Sequence, residues 1–336
     1  MPVTPRVSRF APAALLLLLT ACSAPPTRTW SPSPSTTAAA TVRANPHLEA
    51  GLSARARGDD TAALNAFSLA LLDNPKLTAA YMGIGSIYLD QGDYGQAQKN
   101  FAEAAEIEPD NPQVQYRYGL SLHKAGDIDA AVGRYLAALN LQPQNFLANR
   151  ELASAYLQRG DPDTALPYAL NATRLRPESQ PAWSNLAATY SLLGRYDQAI
   201  DAYRTANELG ELADPVLLGL ADAHIRLGNF PRAINTLNSL IQSSPSATAH
   251  ERLGFAYFKL RRFEDALTQY ESGLTLDRRD LASLNGAGAC YMTLYIEANR
   301  ENTDHRDRAL QCWRTSVRMQ PDQPRIVDLL SRYGRL

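Results

Sequence analysis

Glycine returns every thirty-four residues along this chain, at Gly58, Gly92, Gly126, Gly160, Gly194 and Gly228. Five positions after each stands an alanine (Ala63, Ala97, Ala131, Ala165, Ala199, Ala233), and Pro75, Pro109, Pro143, Pro177 and Pro245 close most of the units. Self-similarity at a fixed period of this length marks a solenoid, in which a unit that cannot bury its own apolar face is stacked on copies of itself. Stability then comes from neighbour-on-neighbour packing, not from one central core.

Each unit reads as helix, turn, helix. Tyr81, Ile84, Gly85 and Tyr88 recur at helical spacing, Gly92-Asp93 breaks the pattern, and Ala97, Phe101 and Ala104 resume it. Gly85 and Ala97 are small because helices approach closely only where side chains do not intervene, and Tyr81, Tyr88 and Phe101 fill the space around that contact. The stretch from Trp183 through Leu186, Ala187 and Tyr190, followed by Ala199, Tyr203 and Ala206, resembles the tetratricopeptide repeat pattern W-x2-L-G-x2-Y, then A-x3-F. Eight such units begin near Ala44, Thr78, Pro112, Phe146, Gln180, Asp214, Ala247 and Leu281 and cover residues 44–323. The resemblance implies an all-α fold: a right-handed α-solenoid of about eight helix-turn-helix units. Residues 324–336 are expected to form a C-terminal capping helix, with Ile326, Val327, Leu329, Leu330 and Tyr333 on one apolar face.

Departures from the pattern locate its weak points. Ala169 stands where an aromatic is usual, Glu211 replaces a closing proline, and Arg261 and Arg278 occupy the two turns of the seventh unit. In the eighth unit Tyr291 and Ala309 are eighteen positions apart, where Tyr88 and Ala97 are nine apart, so an insertion falls near residues 293–306.

The N-terminus is written in a different composition. Arg6 and Arg9 precede the apolar run 10–19, which ends at Ala21-Cys22, and this is the layout of a secretory signal covering residues 1–21. The cysteine at its end resembles the lipobox of bacterial lipoproteins, which implies acylation of Cys22. Two or three acyl chains hold a protein to a bilayer far more firmly than one. Residues 22–43 then form a Ser/Thr/Pro-rich linker carrying Trp30. Ser23 resembles the residue that follows the cysteine in lipoproteins sent to the outer membrane, so the expected location is the cell envelope, facing the periplasm.

Thirty-three Lys and Arg balance thirty-four Asp and Glu, a formal charge of −1, so no basic field points to nucleic acid. The tetratricopeptide resemblance implies instead a protein or peptide partner, held in a concave groove lined by the first helix of each unit. By the groove positions of that family, the candidates are Tyr116, Arg117, His123, Arg150, Asn185, Asp222 and Arg252, with arginine and aromatic residues favoured as anchors. The carboxylate clamp of some tetratricopeptide cochaperones is only half present: Arg150 and Asn185 stand at two of its places, and Ser154, Pro215 and Gly219 occupy the rest.

No sequence motif of a hydrolase, zinc protease or P-loop nucleotide site occurs, and Gly85 and Gly288 fall at the close-packing position of the repeat. The five histidines fall in different units without ligand spacing, so no metal and no cofactor is expected. Cys290 and Cys312, one on each helix of the last unit, are compatible with a disulfide or with two buried thiols. The leading expectation is a non-enzymatic, lipid-anchored scaffold of pilotin-like or hydrolase-adaptor-like type. The competing one is a glycan- or small-molecule-processing site in the insertion, where Glu297, Glu301, Asp304, His305 and Asp307 cluster.

Overall fold

The computed structural model describes residues 45–334. The signal, Cys22 and the whole of the linker lie outside the described residues. Among the described residues there are seventeen α-helices and no strand, an all-α repeat fold. Two compact units divide at Leu193 and Gly194. The described part of unit 1 holds four hairpins, α1 (Pro46–Ala56) with α2 (Asp60–Asp73), α3 (Thr78–Gln91) with α4 (Tyr94–Ile107), α5 (Pro112–Lys124) with α6 (Ile128–Leu141), and α7 (Phe146–Gln158) with α8 (Pro162–Leu175). It ends with α9 (Gln180–Leu192). Unit 2 opens with α10 (Tyr196–Leu209) and continues through the pairs α11 (Asp214–Arg226) with α12 (Phe230–Ser243), α13 (Ala247–Lys259) with α14 (Phe263–Leu276), and α15 (Leu281–Glu297) with α16 (Thr303–Met319). It closes on α17 (Pro324–Tyr333).

The periodic glycines act through backbone conformation. All six adopt a positive φ, between 72° and 90°, and at Gly92, Gly126, Gly160, Gly194 and Gly228 no atom lies within 4 Å of the place where a Cβ would stand. The turn demands a left-handed residue, which only glycine supplies without penalty. In unit 1 the aspartate one position later caps the next helix, Asp59, Asp93, Asp127 and Asp161 each accepting from the backbone N–H three residues on. Gly85 and Gly288 play the packing role expected of them: a Cβ at Gly85 would stand 2.8 Å from the Phe101 ring, and at Gly288 2.4 Å from the Trp313 indole nitrogen.

A large aromatic residue recurs at the centre of the second helix, fully buried as Phe67, Phe101, Tyr135 and Trp313. In α8 that place is taken by Ala169, also fully buried, while Tyr168 beside it stacks on Tyr156 with ring centroids 5.8 Å apart. The last helix, α17, lays Ile326, Leu329, Leu330 and Tyr333 against the buried Tyr291, Leu310 and Trp313. Val327, expected on that face, is 43% exposed instead, because it falls about 100° around the helix from its neighbour Ile326. The insertion near residues 293–306 does not make a simple loop: α15 and α16 are each seventeen residues long, against fourteen or fewer for the other helices, and only residues 298–302 lie between them.

Candidate functional site

The sequence-predicted groove residues fall on first helices, in two separate clusters. In unit 1, α5 packs beside α7 and α7 beside α9. Tyr116 is expected to offer its ring to a ligand, but it is only 4% exposed and lies 6.1 Å from the Tyr135 ring, so it forms part of the wall. Burial, together with nearby Glu151, pushes its phenol up to about 12. His123 extends this wall, with its Nδ1 3.3 Å from the Tyr135 hydroxyl. Burial lowers its pKa below the ordinary histidine value, so it is neutral at pH 7.

Arg150, half-buried on α7, spends its guanidinium on the adjacent Glu151, with Nε donating to Oε1 at 3.0 Å and a second, shorter bond from the terminal nitrogen. Burial opposes its charge, yet Glu151 outweighs this and raises its pKa. Asn185, on α9, donates its side-chain N–H to the Arg150 carbonyl at 3.3 Å. Its role is therefore to tie two first helices together. Next to it, the Ser184 hydroxyl is buried with no hydrogen-bond partner. Arg117, half-buried on α5, differs from Arg150: its Nε is shut off from solvent and has no acceptor among the described residues. A buried donor left unmatched costs about 1–3 kcal/mol.

Unit 2 holds the second cluster. Arg252 on α13 donates from Nε to the Asp222 carboxylate on α11 at 2.8 Å and also pairs with its neighbour Glu251. Glu251 is 4% exposed. Burial pushes its carboxyl up to about 7 in spite of Arg252, with Asp280 and Asp222 adding to the rise. Burial raises Asp222 as well, against the pull of Arg252. Sequence reasoning missed Glu251, although it occupies the groove position in α13 that Arg150 occupies in α7.

A different surface feature lies on the second-helix side of unit 1. A cavity of about 1010 Å3 opens between α6, α8 and α9, walled by Leu139, Tyr168, Leu170 and Trp183. Its polar floor is self-satisfied, with Asn171 donating to Asn149 at 2.9 Å and Asn149 donating to the Pro143 carbonyl at 3.1 Å. The repeat pattern carries no signal for it.

The acids of the eighth-unit insertion do not converge. Glu297 pairs with Arg261 at 2.8 Å, Asp304 with Arg308 at 2.9 Å and Asp307 with Arg306 at 2.8 Å, so three of the acids have separate arginine partners. The His305 ring lies 5.8 Å from that of Tyr291. Among the described residues no group of three or more His, Cys, Asp or Glu is placed to hold a metal. Cys290 and Cys312 are free thiols, and burial pushes Cys290 up to about 12. Among the described residues no helix is long and apolar enough to cross a membrane.

Stacked helical hairpins with ionic and aromatic side chains gathered on the first helices define a repeat-built, partner-binding class of protein. The tetratricopeptide repeat family matches residues 48–95, 82–146, 150–212 and 218–280, and the chain belongs to that family. Among solved structures it is similar to a tetratricopeptide repeat protein from Parabacteroides merdae, with 21% identity, a TM-score of 0.53, and coverage of 76% of this chain and 98% of that one. It is also similar to PilF of Pseudomonas aeruginosa, at 20% identity, TM-score 0.53, and 59% and 90% coverage. A third, PilW, described as a widely conserved type IV pilus biogenesis factor, shows 22% identity, TM-score 0.53, and 59% and 92% coverage. No curated protein sequence matches the chain.

Proposed function

We propose that this protein is a lipid-anchored, non-enzymatic scaffold that holds a polypeptide against its first helices and thereby helps to assemble a cell-envelope machine. The observation that carries this reading is the Arg117 side chain, half-buried on a first helix, with a shielded N–H that no described residue satisfies. Repeat residues of the core have their roles filled by packing, so an unspent charged group on the face the family uses for ligands points to a partner. The fold likeness to PilF and PilW makes pilus assembly the first machine to test. The anchor is Cys22, in the outer membrane with the repeats on the periplasmic side.

Photo-crosslinking residues placed at Gln113 and Ser154 on first helices should capture one discrete partner in cells, and the same residue at Lys99 on α4 should not. Equal capture from both faces, or none from either, defeats the scaffold reading. Metabolic labelling with an alkyne palmitate tests the anchor separately, since Cys22→Ser should abolish both the label and the membrane fraction.

A further inference from the structure

Two features of this chain have no role in the scaffold reading: the cavity on the second-helix side of unit 1, and the tryptophan of the proline-rich segment that precedes the repeats. The cavity, about 1010 Å3, is walled by apolar and ring-bearing side chains, Tyr168, Trp183, Pro143 and Pro177 among them. Leu170, also in its wall, leaves 42% of its surface uncovered. Polar side chains of the wall are engaged within the protein. Asn171 donates to Asn149, Asn149 to the Pro143 carbonyl, and the Trp183 indole N–H to the Pro177 carbonyl at 2.7 Å. Arg174 in turn donates to Asn171. An occupant of such a cavity is held by burial of rings and hydrocarbon, and gains little from hydrogen-bonding groups of its own.

Residues 23–36 match that description. They carry Pro25, Pro26, Pro32 and Pro34, which have no backbone N–H to satisfy, and Trp30, the only large apolar side chain between residues 23 and 41. Proline-rich sequences lose little conformational freedom when they lie extended in a groove of aromatic rings. Position and length agree with the composition. The described chain begins at Asn45, the N-cap of α1. The cavity lies on the same edge of the hairpins, because its wall includes Trp183 in the first turn of α9 and Pro143 and Pro177 in the turns that lead into α7 and α9. First helices touch in four successive steps, α1 to α3, α3 to α5, α5 to α7 and α7 to α9. At about 10 Å a step they cover about 40 Å. Trp30 stands fifteen positions before Asn45, and that much chain reaches about 50 Å when extended.

We infer that the segment around Trp30 docks in this cavity of its own chain, with the indole and the flanking prolines against Tyr168, Leu170 and Trp183. The docking does not depend on the Cys22 anchor proposed above; its consequence does. With Trp30 seated, the tether between the acylated cysteine and the repeats shrinks to residues 23–29, a reach of about 25 Å. The second-helix face of unit 1 is then held toward the membrane, leaving the first helices free for a partner.

The test places a photo-crosslinking residue at Ser31 of the full chain, illuminates it in cells and after mild detergent extraction, and maps the links by mass spectrometry. Links should gather on residues 167–183 of the same chain in both preparations. Trp30→Ser, which leaves the repeats untouched, and Leu170→Glu, which puts a charge into the cavity, should each lower their yield by on the order of tenfold. Circular dichroism checks that the helices of the Leu170→Glu chain persist. Links that spread along the chain, that fall on the first helices, or that survive Trp30→Ser unchanged overturn the docking. Links lost on detergent extraction also overturn it, because the membrane and not the cavity then holds Trp30. Mixing isotopically light and heavy chains should give no hybrid links; hybrids would assign the segment to a second copy and defeat the shortened tether.

Discussion

Units 1 and 2 both place an arginine beside a glutamate at the same point of a first helix, but in opposite order: Arg150-Glu151 on α7 and Glu251-Arg252 on α13. In both pairs the glutamate is the more deeply buried side chain, and both members lie deeper in unit 2. In unit 1 the side chains of Arg150 and Glu151 keep 25% and 16% of their surface, and the cations outnumber the acids. In unit 2 the Glu251 side chain keeps 6%, and Asp222 brings a second carboxylate to the same guanidinium. Around Arg252 the acids Asp222, Glu251 and Asp280 outnumber the cations Arg252 and Arg226, the reverse of the balance around Tyr116, where Arg117 and Arg150 outnumber Glu151. A repeat fixes where a residue sits; the side chains that neighbouring helices bring beside it fix what that place does electrostatically.

The sharpest test of that contrast removes the arginines. Arg252→Ala strands two carboxylates, the buried Glu251 and the part-buried Asp222, and should cost about 3–5 kcal/mol. Arg150→Ala strands one that is less buried and should cost clearly less, about 1–3 kcal/mol. Urea unfolding at pH 7.5 measures both, and equal costs would erase the distinction between the clusters.

The next effect concerns pH. The Glu251 carboxyl titrates near 7 in the folded chain, above its ordinary value of 4.5. The folded state therefore binds more protons than the unfolded state between those values, and stability falls as pH rises through that window, the loss being complete above about 7. Glu251→Gln removes the titrating group and keeps an acceptor for Arg252. Between pH 5 and pH 8 the wild type should lose about 2 kcal/mol that this variant retains. A parallel pH profile for the two proteins would show that Glu251 carries its charge in the fold without penalty.

The units also differ in their turns. The second helices of unit 1 are capped by aspartate, whereas α10, α12 and α14 of unit 2 start at Arg195, Asn229 and Arg262 with no side-chain cap. Asp93→Ala should cost about 1 kcal/mol. Arg195→Asp should return some of the missing cap, a gain of about 0.5 kcal/mol. The smallest expected change is at Arg261, whose φ of 61° puts a non-glycine residue where the other turns use glycine. Arg261→Gly should stabilise by a few tenths of a kcal/mol, because it relieves the left-handed strain but frees more unfolded chain and gives up an exposed ion pair with Glu297. Differential scanning calorimetry resolves the sign of each.

Much of the fold was legible in the residues. The glycine period set the turns, the alanines and Gly85 set the close contacts, and the large second-helix residues set the core, because each acts over one hairpin and is repeated many times. The ion clusters were legible only in part. Asn185 and Arg252 could be assigned to first helices, but nothing in the pattern tells whether a polar side chain there reaches solvent, a neighbouring helix or the core. Tyr116 turned inward onto Tyr135, and Glu251 gathered charges from α11 and from the start of α15.

The sequence by itself therefore determined the repeating unit, its turn chemistry and the family, since these follow from contacts between residues less than one repeat apart. Tertiary structure alone decided which charged groups are spent and which are left over. That outcome depends on helices brought together from successive hairpins, where burial and the distance to a second charge set the energy of each group. Arg117 unmatched and Arg252 doubly matched have the same side chain and differ only in what the stacked helices place around them.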